Sequence, residues 1–197
     1  MFRRHHAIVA FCSLSTIGLL TAGCEEEEKA TPQVIIGDAR LARGAESPDC
    51  KDSRPLFAIG SFGVPALDEP SVAVKDGAQA EQGTVSIACS VTSAGNGEFN
   101  VDATVALSGA TGGAFHVDGK FKTTGEQTNI RARFSSIASA NTYEQSDRGC
   151  IVHYDTPYQG VAAGRVWGRV DCPKALLSGA DTSCAATATF RFENCAQ

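Results

Sequence analysis

Basic residues are scarce in this chain of 197 residues, and no run of them exceeds two: 17 lysines and arginines stand against 22 acidic residues, a formal charge of −5. Phosphate backbones are gripped by grouped Lys and Arg side chains, so the composition argues against a nucleic-acid partner. Closely spaced cysteine pairs of the C-x₂₋₄-C kind are missing, which removes the common zinc frameworks. Also missing are G-x-S-x-G, H-E-x-x-H, the P-loop, the dinucleotide fingerprint and the EF-hand loop. Histidine is rare: beyond His5 and His6 there are only His116 and His153, little material for general-base work near neutral pH. His116 and Asp118 share one side of an extended segment, but two ligands are too few for a metal site. Neither a metal nor a cofactor is therefore expected. Helical periodicity is absent after residue 24, apart from Ala39 to Ala45, which is long enough for one turn.

Charge is absent as well between Ala7 and Gly23, a run of 17 residues that follows Arg3 and Arg4. A basic start, an apolar stretch and small residues before a cut describe a secretory signal peptide. A membrane-spanning helix is the competing reading. It needs ~20 apolar residues, whereas this run is shorter and carries Ser13, Ser15, Thr16, Gly18, Thr21 and Gly23.

The run ends in Leu20-Thr21-Ala22-Gly23-Cys24, immediately before four glutamates. That segment resembles the lipobox of bacterial lipoproteins, with Thr21 where the family most often has leucine. The resemblance covers residues 1–24 and implies cleavage before Cys24, with acyl chains on its thiol and freed amine. Two or more chains moor a protein stably, at ~0.8 kcal/mol per buried CH₂, so the membrane is the implied partner. Residues 24–33 then form a lipidated acidic tether, in which Glu25 to Glu28 repel one another and an acidic lipid surface. In this family aspartate after the cysteine retains the protein at the inner membrane. Glu25 is not aspartate, which favours the outer membrane.

Removing residues 1–23 takes away Arg3 and Arg4 and no acid, so the charge falls to −7. It also removes Cys12, and Cys24 is consumed by lipid. Six cysteines remain: Cys50, Cys89, Cys150, Cys172, Cys184 and Cys195. An even number in an exported chain predicts three disulfides. The lipobox thus accounts for the one cysteine that would leave the count odd.

Residues 34–197 are enough for one β-rich domain with a sizeable core. Apolar residues alternate at Val85, Ile87, Cys89 and Val91, then at Val101, Ala103, Val105 and Leu107, with Asn96-Gly97 as a hairpin turn between the runs. Two further runs, burying Phe115, Val117 and Phe121 and then Ile130, Ala132 and Phe134, complete a four-stranded antiparallel meander. Earlier, "QVIIGD" and "PLFAIGSFG" read as strands. Seven or eight strands with one apolar side each predict an antiparallel β-sandwich, or alternatively a closed barrel, stabilised by disulfides. Near the C-terminus, setting Cys172 opposite Cys184 pairs Val170 with Ala186, Gly168 with Ala188 and Val166 with Phe190, all apolar or glycine. A Cys172–Cys184 staple is therefore expected. Cys195 has the opposite parity and is left to pair with Cys50, Cys89 or Cys150.

In that register Arg165, Trp167 and Arg169 point outward with Arg191 opposite Arg165. Opposed like charges call for something anionic between them: the neighbouring Glu193, a carboxylated glycan, a lipid headgroup or a protein's acidic loop. "HYDTPYQG", residues 153–160, adds Tyr154 and Tyr158 in a loop. These six side chains are the candidate binding residues, for a glycan or protein ligand. The segments "GVAAGRVWGRVDCP" and "FRFENC" resemble uncharacterised predicted lipoproteins of the myxobacterial kind, from about residue 55 onward. That resemblance implies an envelope location and no catalytic residue. The sequence leads to a non-catalytic envelope lipoprotein with a binding or structural β-domain. The alternative is a secreted hydrolase or carbohydrate-active enzyme, which needs paired carboxylates or a nucleophile–base pair converging in one cleft.

Overall fold

A computed structural model describes residues 30–197; the leader, Cys24 and the four glutamates lie outside that range. Twelve strands form one continuous antiparallel sheet: β1 (Gln33–Ala42), β2 (Arg54–Ile59), β3 (Val74–Lys75), β4 (Gln79–Ala80), β5 (Gly83–Gly95), β6 (Glu98–Leu107), β7 (Gly113–Lys122), β8 (Gln127–Ser136), β9 (Asn141–His153), β10 (Gly160–Ala162), β11 (Arg165–Leu177) and β12 (Ser183–Glu193). Their order is β2-β1-β12-β11-β9-β8-β7-β6-β5-β4. The fold is all-β and disulfide-stabilised, as expected, and of the two arrangements the sequence left open it takes the barrel-like one. The predicted meander is β5 to β8, paired in sequence order. Asn96 and Gly97 both take positive φ, 53° and 73°, as the tight hairpin turn requires. Ala39 to Ala42 is strand rather than a helical turn, continuing β1 after an irregularity at Asp38.

Two devices close the sheet along the outer edge of β5. The C-terminal residues lie against it: Val91 N donates to Ala196 O at 2.8 Å, and Ala196 N donates to Cys89 O at 2.9 Å. Beside them, Asp76 N donates to Pro32 O at 2.9 Å while its carboxylate accepts from Ile87 N at 2.7 Å, bridging the start of β1 to β5. Inside, Phe115, Phe134, Phe190 and Phe192 are fully buried, with ring centroids 5.3 to 6.5 Å apart. A barrel of about eight strands is just wide enough for side chains to fill, and these phenylalanines fill it.

All six cysteines of the domain pair, as Cys50–Cys184, Cys89–Cys195 and Cys150–Cys172. The expected Cys172–Cys184 staple is therefore wrong. The β11–β12 register is displaced by two residues, so Val166 faces Phe192 and Gly168 faces Phe190. An irregularity at Pro173-Lys174 then sets Ala175, not Cys172, opposite Cys184. A two-residue slip preserves which side is buried, so the apolar pattern could not distinguish the registers. Cys172 instead bonds across to Cys150 on β9, at a Cα separation of 4.2 Å. Cys195 returns to the interior, 4 % exposed, because Asn194 takes a φ of 57° and breaks the strand's alternation.

One end of the barrel is capped by a buried phenol. Tyr143 donates to Asp52 Oδ2 at 2.5 Å and Asn141 donates to the same oxygen at 2.7 Å. The bond from Tyr143 holds the Asp52 carboxyl below its ordinary range. Burial, aided by Asp52, pushes Tyr143 up to about 12.

Two predictions follow from closure and capping. Replacing Cys89 and Cys195 together by serine opens a loop of 106 residues and should cost about 4–5 kcal/mol. Urea unfolding measures this, and an unchanged midpoint would refute the role of that bridge. The phenol, protonated in the fold above its unfolded pKa of 10.0, contributes stability that is full below that pH and is lost as pH rises towards about 12. Asp52 acts in the other direction, its contribution being present above its unfolded value of 3.8 and lost as pH falls below it. Tyr143→Phe should lower stability at neutral pH by about 1.5–3 kcal/mol, the range for a hydrogen bond to a charged group, and flatten the alkaline decline seen in pH-dependent melting.

Candidate functional site

After β2 the chain makes an excursion over the outside of the sheet before returning as β3. Its ends are tied by mutual hydrogen bonds between Ser61 and Val72, at 2.9 and 2.7 Å, and its tip turns through a 3₁₀ segment, Pro65–Leu67. Phe62 is the residue that fastens it down. Its ring stacks on Trp167 with centroids 5.7 Å apart and planes 12° from parallel. Gly37 makes room for that ring, since a Cβ there would lie 3.1 Å from it. Ile35, of opposite parity to Val34 and Ile36, is fully buried too, so this part of the outer surface is covered.

Arg191 completes the packing. It lies directly across from Trp167, its guanidinium carbon 5.4 Å from the indole centroid. One terminal nitrogen donates to both oxygens of Glu193 at 2.7 Å, and the other reaches Ser71 at 3.3 Å. Gln33 also donates to Glu193, at 2.8 Å. The opposed arginines expected from the sequence do not occur, because the two-residue register change sets Trp167 there instead. Trp167 Nε1 and Arg191 Nε are shielded from water and have no acceptor among the described residues. Holding them so costs roughly 1–3 kcal/mol apiece, which the ring stacking and burial must offset.

Beside this packed wall lies a cleft of about 680 Å³, bordered by the excursion, Tyr158, Arg165, Trp167 and Arg191. Four of the six candidate residues thus meet in one place. Tyr158 is 75 % exposed, and Arg165 is exposed as well. Arg169 and Tyr154 lie elsewhere and hold the 153–160 loop in place. Arg169 grips Asp155 at 2.8 and 3.3 Å and also bonds Asp171. The hydrogen bond to Asp155 raises the Arg169 pKa, and the reciprocal bond holds Asp155 low. Tyr154 donates to Lys122 O at 3.0 Å, and burial moves its phenol well above the ordinary range. Phe62, Asp68, Glu69 and Ser71, which also border the cleft, were not visible as site residues. The one local signal is an aromatic between two glycines of positive φ, Gly60 at 66° and Gly63 at 71°.

Both histidines are outside the cleft, on the outer surface of the sheet. His116 lies 3.1 Å from Asp102 and 3.8 Å from Asp118. His153 lies between Glu126 at 3.0 Å and Asp171 at 3.4 Å. Among the described residues no group of three or more His, Cys, Asp or Glu side chains is arranged to hold a metal ion. Comparison with protein-family models, with curated proteins and with solved structures gives no match.

Trp167 is the chain's only tryptophan, so its emission reports on this wall alone. Phe62→Ala should shift that emission to the red, increase quenching by acrylamide and cost about 2 kcal/mol, below the 3–5 typical of a fully buried ring. Unchanged emission would show that the excursion is held by something other than the stack.

Proposed function

We propose that this chain is a cell-envelope lipoprotein, cut before Cys24 and acylated there, whose barrel is a non-catalytic binding or structural domain displayed at a membrane surface. The observation that carries this reading is the complete pairing of the six cysteines in the barrel. Disulfides persist in oxidising compartments outside the cytoplasm. With Cys12 lost in the leader, Cys24 is left as the single thiol of the mature chain, at the position where the lipobox resemblance requires one.

The packed interior supports binding on the outside, and the cleft beside Trp167, where four of the six candidate residues meet, is one place that offers it. Arg165, Tyr158, Asp68 and Glu69 are its accessible groups, a mixed-charge and aromatic lining suited to a glycan or a protein loop. The hydrolase alternative requires a base and a partner converging in a cleft. Neither His116 nor His153 borders this cleft, which favours binding over catalysis there.

Intact mass spectrometry of the native protein tests the proposal. The expected species begins at Cys24, carries two or three acyl chains and gains six hydrogens on reduction. Cys24→Ser should abolish acylation and release the chain from membranes. A soluble species that retains residues 1–23 would overturn the reading.

A further inference from the structure

Among the described residues, six large apolar side chains are substantially exposed, and their distribution is uneven. Val64, Leu67 and Val72, at 43, 68 and 56 %, lie on the excursion after β2, and Tyr158, at 75 %, lies across the cleft from it. Ile137 and Leu176 stand at the far end of the long strands. The excursion carries no lysine or arginine between Gly60 and Val74. Its backbone is bonded within itself: Val64 N to Glu69 O at 3.1 Å and Leu67 N to Val64 O at 2.8 Å, in addition to the Ser61–Val72 pair. A loop so bonded can leave bulk water without stranding these polar groups.

The start of the described chain lies at this same end. Gln33 bonds Glu193, a residue of the cleft wall, and Thr31 O accepts from Asn194 at 3.0 Å. Cys24 precedes Ala30 by six residues, which even fully extended span at most about 22 Å. An acylated Cys24 therefore keeps this apolar end close to the bilayer in which it is embedded.

We infer that Val64, Leu67, Val72 and Tyr158 form a second, non-covalent membrane contact, seated on the lipid surface that holds the anchor. This rests on the acylation of Cys24 proposed above. The tether makes the contact effectively intramolecular, so an interaction too weak to recruit a free protein is occupied once the chain is anchored. Tyrosine and tryptophan suit the interfacial zone of a bilayer. The charges decide which lipids are accepted. Arg191 is neutralised by Glu193, leaving Arg165 against Asp68 and Glu69, and the sequence adds Glu25 to Glu28 directly after the proposed anchor. An anionic surface repels this set. The barrel therefore seats on zwitterionic lipid and is lifted away from anionic lipid.

The mature acylated protein, reconstituted into nanodiscs, tests this. Leu67→Trp in a Trp167→Phe background places the only indole at the tip of the excursion, and Tyr158→Trp in the same background is a second reporter across the cleft. Melting curves check that each is folded. With dibrominated phosphatidylcholine the emission of both reporters should be strongly quenched and shifted to the blue, and admixed phosphatidylglycerol should reverse this. Absence of quenching, with Cys24 acylated by mass, overturns the membrane contact and leaves the anchor intact. Absence of acylation overturns both. Concentration-dependent sedimentation abolished by Leu67→Asp, again without quenching, would assign the patch to a second copy of the chain and overturn the contact.

Discussion

A sheet whose strands are apolar on one side can hide that side only by curling until it meets itself, and here the meeting line is the outer edge of β5. Its free N–H and C=O groups would otherwise invite another chain to pair. The edge is instead occupied by three unlike partners: the carboxylate of Asp76, the backbone of Ala196 and the turn at Gly164, whose N–H donates to Val91 O at 3.1 Å. Cys89–Cys195 fixes the C-terminal partner covalently. Without this closure the four interior phenylalanines would face a gap rather than a packed wall, and the stabilisation from burying them would be lost.

Much of the fold was legible because alternation is a robust signal. From Val85 to Phe134 the apolar positions fall on one side of each strand with period two, and all are buried except Cys89 and Phe99, which are half-buried. Register was not legible in the same way. Moving β12 by two residues against β11 exchanges Phe190 for Phe192 opposite Val166 and leaves every inward residue inward. Only the long-range bond between Cys150 and Cys172, and the irregularity at Pro173-Lys174, discriminate the two settings. The parity argument that sent Cys195 outward failed for a local reason, the left-handed conformation of Asn194. Asparagine tolerates that region better than most residues, so the signal was present but not decisive.

The candidate site was legible in part for a related reason. An even register keeps Trp167 and Arg191 on the same side of the sheet, and the expected setting already made them diagonal neighbours; a two-residue slip set them directly opposite each other. What separates the accessible cations from the occupied ones is contact distant in sequence. Arg169 and Arg165 are four residues apart on one strand, yet Asp155 and Asp171 hold Arg169 while Arg165 remains open. The same pattern recurs on β7 to β9, where Asp118 takes Arg131 at 2.7 Å and Arg148 at 3.3 Å. A partly exposed pair such as Arg169–Asp155 contributes little to stability, typically 0.2–1 kcal/mol. The effect of these pairs here is to subtract charge from the outer surface, so the chemistry available to a ligand cannot be read by counting arginines.

Phe62 shows how the seam and the site depend on one another. The excursion that carries it leaves β2, crosses Trp167 and re-enters the sheet as β3, where Val74 and Lys75 pair with β1 immediately before Asp76 reaches β5. The stack on Trp167 therefore shortens the free path of the segment that supplies one of the closing contacts. Conversely, pairing of β3 with the start of β1 fixes where the excursion must end, and so holds Phe62 over the indole. Cleft, seam and the start of β1 are consequently tied together at one end of the barrel.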